Sequence, residues 1–183
     1  NAGSACDRAI TRDTLETSGL SVIYPEYAGY SNDTRKPSRE LILKDVRNIA
    51  DFIDKKKYSK VIIHGQSIGS GAACYHSSIS RVDYLILATP FSRLSDVAQS
   101  KYMIYPARLL LTQEYDNIKW LRGFSGEVLV VHGDDDNIIP ARFSKKLYDS
   151  ISSEKEYMLI EGRGHNDIWQ SERFRDTVSD RIE

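Results

Sequence analysis

Cysteine is nearly absent: Cys6 and Cys74 are the only two in 183 residues. They lie far apart and form no C-x-x-C pair, so neither a disulfide framework nor a zinc-finger pattern is expected. So few cysteines favour a reducing, cytoplasmic setting for this segment. No run of 18 apolar residues occurs, so nothing in the sequence reads as a membrane span. Charge of one sign is not in excess either, since 25 Lys and Arg stand against 26 Asp and Glu. Without a basic face, nucleic acid is not an expected partner. The chain lacks an initiating Met and a signal-peptide pattern, opening instead with Asn1-Ala2-Gly3-Ser4.

What is present is a balanced globular composition, 40% hydrophobic, of a length that suits one domain over 1–183 with a sizeable core. Short apolar runs alternate with helical periodicity. Strands are predicted at 20–24 (LSVIY), 60–64 (KVIIH), 84–88 (YLILA), 127–132 (EVLVVH) and 156–160 (EYMLI). After Pro37 and Ser38 the spacing of Ile42, Val46, Ile49, Ala50 and Ile53 predicts one face of a helix. Further helices are expected at 69–78, 143–151 and, without a break, 168–182. Strands alternating with helices imply a mostly parallel sheet with helices on both faces, an α/β fold, and near-continuous apolar strands agree with it. The stretch 91–125 is too long for a simple crossover. Its apolar core at 103–111, interrupted by Pro106, predicts a small helical, cap-like insertion.

Three loops carry candidate chemistry. Gly65-Gln66-Ser67-Ile68-Gly69 is a G-x-S-x-G turn between a predicted strand and a predicted helix. Its glycines are expected to relieve crowding, exposing Ser67 at the C-terminal sheet edge. The backbone N–H of Ile68 would be one oxyanion donor. His132-Gly133-Asp134-Asp135-Asp136 follows the fourth strand and supplies an acid; Asp136 is preferred, with Asp134 and Asp135 as alternatives. The turn does not fit a calcium loop, because Ile138 stands where the glycine would be. Gly162-Arg163-Gly164-His165-Asn166 follows the fifth strand and presents His165. A serine needs a base to take its proton, and the base needs a carboxylate to fix its tautomer. The order Ser67, Asp136, His165, each after a different strand, is that of nucleophile, acid and base in α/β-hydrolases. His64 and His132 read as hydrogen-bonded structural histidines, His76 as partly exposed, Cys74 as core filler, and Asp167 as a cap for the last helix.

These residues resemble the α/β-hydrolase superfamily, and more narrowly the group of α/β-hydrolase-domain depalmitoylases and their bacterial relatives. The resemblance is carried by Tyr27-Ala28-Gly29-Tyr30-Ser31 with Pro37-Ser38, by the Ser67 turn, by the segment His132 to Pro140, and by Gly164-His165-Asn166-Asp167. It implies a serine hydrolase acting on esters or thioesters through an acyl-enzyme, needing no cofactor or metal, on a small-molecule or protein-bound acyl substrate. It also implies that Asn1-Ala2-Gly3 continues a missing His-Gly pair. The N-terminal strands of the fold would then be absent from this chain. The second oxyanion donor would sit at Asn1 or Ala2, the chain would be a fragment of a longer enzyme, and a missing segment could anchor it to a membrane. The missing third strand would leave the strands at 20–24 and 60–64 apart. Tyr102, Met103, Ile104, Leu109 and Leu110 would suit an acyl chain. The same elbow and order also occur in prolyl-peptidase-like enzymes, and a non-catalytic module keeping the fold is the other alternative.

Overall fold

The computed structural model describes residues 20–30, 33–102, 106 and 110–182. The first helix among the described residues, α1 (Arg39–Lys56), starts where Ser38 Oγ accepts the Leu41 N–H. Glu40 in its first turn and Lys55 and Lys56 in its last complement the helix dipole. Ile42, Leu43, Val46 and Ala50 form its buried stripe, while Ile49 and Ile53 are half-buried.

Four strands follow, β1 (Ile62–Gln66), β2 (Tyr84–Ala88), β3 (Glu127–Gly133) and β4 (Lys155–Ile160). They pair in parallel in the order β1-β2-β3-β4. Between them run α2 (Gly69–Ser77), α3 (Leu94–Lys101), the short α4 (Asn117–Trp120) and α5 (Arg142–Ser150). A 3-10 turn (Ile168–Gln170) and α6 (Glu172–Ile182) close the chain.

Side chains alternate across the sheet, so each strand feeds two cores. Tyr84, Ile86, Ala88, Leu129, Val131, Met158 and Ile160 pack on Ile168, Trp169 and the α6 residues Phe174, Val178 and Ile182. Leu85, Leu87, Val128 and Val130 pack on Ala73, Cys74, Leu147 and Ile151 from α2, α5 and its end. Both faces are therefore covered, as a parallel sheet requires. Cys74 is fully buried, and burial pushes its thiol up. Cys6 lies outside the described residues.

Four expectations need correction. Residues 20–24 form no strand: extended backbone becomes a strand only by pairing, and no strand among the described residues lies beside them. The first paired strand begins two residues later than expected and runs on to Gln66. The last helix is not continuous. Ser171 interrupts it, and its Oγ accepts the Phe174 N–H, starting a new helix. His76 is buried, not partly exposed, and burial lowers its tendency to ionise.

The excursion after β2 leaves and returns at one point. Arg93 and Asp116 form an antiparallel bridge and an ion pair at 2.9 Å. The Asn117 side chain donates to the Phe91 carbonyl at 2.9 Å and to Ser70 Oγ at 3.3 Å. Phe91, Val97 and Tyr115 then share a core with Leu43, Ile139 and Phe143, against which Ile68 packs. The excursion thus borders the residue that follows Ser67. No helix among the described residues is long and apolar enough to cross a membrane.

Candidate active site

Ser67 sits between β1 and α2 with φ 55°, a left-handed conformation that is strained for a side chain bearing Cβ. Its N–H donates to the Ala88 carbonyl at the end of β2, at 3.0 Å. Gly65 is required by space, because a Cβ there would lie 2.6 Å from Ala73 Cβ and from the Gly69 carbonyl oxygen. Gly69, expected to serve the same purpose, has open space around its missing Cβ. A glycine outside the motif is the tighter one: a Cβ on Gly71 would meet the Tyr115 ring at 2.3 Å. α2 opens directly behind Ser67, so its N-terminal dipole faces the hydroxyl.

His165 Nε2 lies 2.7 Å from Ser67 Oγ, and His165 Nδ1 lies 2.7 Å from Asp136 Oδ2. The imidazole is mostly enclosed, with 9% of its side chain exposed, and the Asp136 carboxylate is fully enclosed. Asp136 Oδ1 accepts the N–H groups of Ile138 and Ile139, each at 2.8 Å. His132 Nε2 lies 3.1 Å from Oδ2. Burial pushes the carboxyl toward protonation, but the hydrogen bonds from His132, His165 and the Ile139 amide outweigh it. Asp136 is held well below the usual carboxylate range.

The other two acids of the turn have different tasks. Asp134 Oδ1 accepts the Gly162 N–H at 2.7 Å, and the Asp135 N–H donates to the Arg163 carbonyl at 3.0 Å. Both contacts tie the acid turn to the loop carrying His165. Neither acid supplies the carboxylate on the imidazole. Gly133 lets the two segments touch: a Cβ there would lie 2.0 Å from the Arg163 carbonyl oxygen. Asp167 does not cap the last helix. Its Oδ1 instead accepts the Gly164 N–H at 2.7 Å, bracing the His165 loop from the other side. Gln66 Nε2 donates to the His165 carbonyl at 3.2 Å, a contact no sequence signal announced.

The other predicted site residues are less connected. Asn1, Ala2, Met103, Ile104 and Leu109 lie outside the described residues. Tyr102 and Leu110 are exposed, at 62% and 65%. Ile68 stands between Ser67 and α2 with helical backbone angles. Among the described residues no cluster of three His, Cys, Asp or Glu side chains could hold a metal ion.

No protein-family model matches the chain. Among curated proteins it is 30% identical to an uncharacterized protein of Mycobacterium tuberculosis over 91% of this chain and 60% of that protein. It is 28% identical to α/β-hydrolase domain-containing protein 17B of Xenopus laevis, over 78% of this chain and 49% of that one. It is also 28% identical to the lysophosphatidylserine lipase ABHD12 of Xenopus tropicalis, over 74% of this chain and 40% of that one. The chain therefore spans 60% or less of the length of these relatives. Among solved structures, a meta-cleavage product hydrolase from Pseudomonas fluorescens superposes with a TM-score of 0.71 at 17% identity, covering 98% of this chain and 85% of that one. The Est1E protein of Butyrivibrio proteoclasticus, solved with ferulic acid, gives 0.71 at 16% identity, covering 95% of this chain and 79% of that one.

The parallel sheet with its serine turn defines the α/β-hydrolase fold. The chain has that fold, and its relatives include α/β-hydrolase-domain proteins of the kind its motifs resemble.

Proposed function

We propose that this chain is the core of a serine hydrolase that cleaves carboxylic esters or thioesters through an acyl-enzyme. One observation carries the reading: an unbroken relay from Ser67 Oγ through His165 to a buried, fully hydrogen-bonded carboxylate. Ser67 gives its proton to His165 Nε2 and attacks the substrate carbonyl. Asp136 keeps the other imidazole proton on Nδ1 and stabilises the cation that forms. The Ile68 N–H and the helix terminus behind it meet the developing oxyanion, with a second donor expected near Asn1 or Ala2. His165 then protonates the leaving group, and water releases the acid by the same steps reversed. All of this is done by side chains and backbone, without a cofactor.

The substrate class is drawn from the relatives, one of which is named as a lipase of lysophosphatidylserine. An acyl ester, small or carried on a protein, fits that chemistry, with the 91–125 excursion as the cap bordering Ile68. The test is a panel of p-nitrophenyl esters, acyl thioesters and peptide anilides. Ester or thioester turnover that vanishes in Ser67→Ala supports the reading. Turnover of anilides alone would point to a peptidase, and turnover that survives in Ser67→Ala would overturn the serine mechanism.

A further inference from the structure

The reading of Ser67, His165 and Asp136 as a triad leaves one buried histidine unexplained. His132 ends β3 with its side chain fully enclosed. Its Nε2 lies 2.7 Å from the Ile139 carbonyl oxygen and 3.1 Å from Asp136 Oδ2. Both neighbours are acceptors, so Nε2 carries the ring proton; it bonds the Ile139 carbonyl while the carboxylate oxygen stands within ion-pair reach. Nδ1 is buried with no hydrogen-bond partner among the described residues. This ring is oriented for Nε2 alone.

We propose that His132 is a positioning residue: its Nε2–H tethers the same carboxylate oxygen that faces His165, and so sets where that oxygen sits and how much charge it offers the imidazole. The inference rests on the triad reading and extends it to a fourth side chain. The other charged groups nearby are engaged elsewhere. Asp134 is turned to the Gly162 amide, and Asp167 to the Gly164 amide and to Arg163. From β1 the site receives Ser67, and from the loop after β4 it receives His165. Among the described residues, His165 Nδ1 and His132 Nε2 are thus the side-chain nitrogens that reach Asp136 Oδ2, at 2.7 and 3.1 Å.

The consequence follows from charge sharing. Oδ2 divides its lone pairs between two donors. Removing one concentrates its charge on His165 and favours the protonated imidazole. A protonated His165 cannot act as base, so activity should fall away at higher pH than before.

The experiment compares His132→Leu, which keeps bulk and removes the donor, with His132→Gln, whose amide N–H can reach the same oxygen. The readout is the pH dependence of the second-order rate with which a fluorophosphonate labels Ser67 in the full chain. In His132→Leu the rate at neutral pH should drop about 10-fold or more, and its acid-side inflection should move to higher pH. His132→Gln should restore the inflection to its wild-type position. Should the leucine variant fail to fold, nitrogen NMR of the wild-type imidazoles decides: a proton on His132 Nε2 is required, and a proton on Nδ1 alone overturns the proposal. Loss of rate in both variants with an unmoved inflection would reduce His132 to packing and also overturn it, while leaving the triad intact. A wild-type chain that does not label at all overturns the triad reading, and this inference with it.

Discussion

Replacing Asp136 with Asn changes one atom and reverses the hydrogen-bond logic of the site. Among the described residues the carboxylate meets donors alone: the Ile138 and Ile139 amides on Oδ1, and His165 Nδ1, with His132 Nε2 at 3.1 Å, on Oδ2. An amide can keep its oxygen toward the backbone N–H groups only by turning its NH2 toward both imidazoles. Donor then faces donor at 2.7 Å, and His165 escapes by moving its proton to Nε2. That nitrogen is the one facing Ser67, so the serine loses its base. Turning the amide the other way places NH2 against two backbone N–H groups, which is no better. The expected loss in the rate of acylation is roughly 10³- to 10⁴-fold. The variant should also lose roughly 2–4 kcal/mol of stability, since a buried network is broken without a replacement. The pH dependence has a definite sign. In the folded chain the Asp136 carboxyl is held below its ordinary value of 3.8. Its stabilising effect is therefore fully present above that value and is lost as pH falls toward the folded-state value. Asp136→Asn should flatten the decline of the melting temperature below about pH 5. Fluorophosphonate labelling rates and thermal melts across pH measure both effects. A variant that keeps more than a tenth of the wild-type rate would refute the tautomer argument.

Ser67→Gly should abolish labelling yet stabilise the fold by about 1 kcal/mol, because glycine relieves the strain at φ 55°; thermal melts should show a rise of roughly 2–4 °C. Gly133→Ala should destabilise by roughly 1–3 kcal/mol and slow labelling, since its new methyl meets the Arg163 carbonyl and pushes out the loop carrying His165; urea unfolding and labelling rates check it. Asp167→Ala should slow labelling about 10-fold by freeing the Gly164 amide while costing only about 1 kcal/mol. Helical circular dichroism should stay unchanged in that variant, and its loss would return Asp167 to the role of a cap.

Much of the fold was legible because the strands are buried on both faces and read as unbroken apolar runs. Tyr84–Ala88 is the clearest case, with every residue buried. Helix α1 was legible from its spacing and from Ser38. What was missed depends on partners distant in sequence. Residues 20–24 have strand composition, but pairing is a property of neighbours, and periodicity cannot report it. His76 was read as partly exposed from its late place in its helix, and a helix of small residues gives no clear amphipathic phase to show otherwise. The polar side chains of the site divide in the same way. That Ser67, Asp136 and His165 come together was expected from motif and order, since each follows a strand end. The tasks of Asp134, Asp167 and Gln66 were not, because each side chain answers a single backbone group on another loop. His132 was readable as a bonded core histidine, but its second acceptor becomes visible only when the turn to Asp136 is folded.

The most direct measurement of the central claim is intact mass followed by peptide mapping after exposure to a fluorophosphonate. The account predicts a single adduct, on the hydroxyl of Ser67, that does not form when His165 is replaced by Ala. An adduct on another residue, or one at Ser67 whose rate is indifferent to His165, would contradict it.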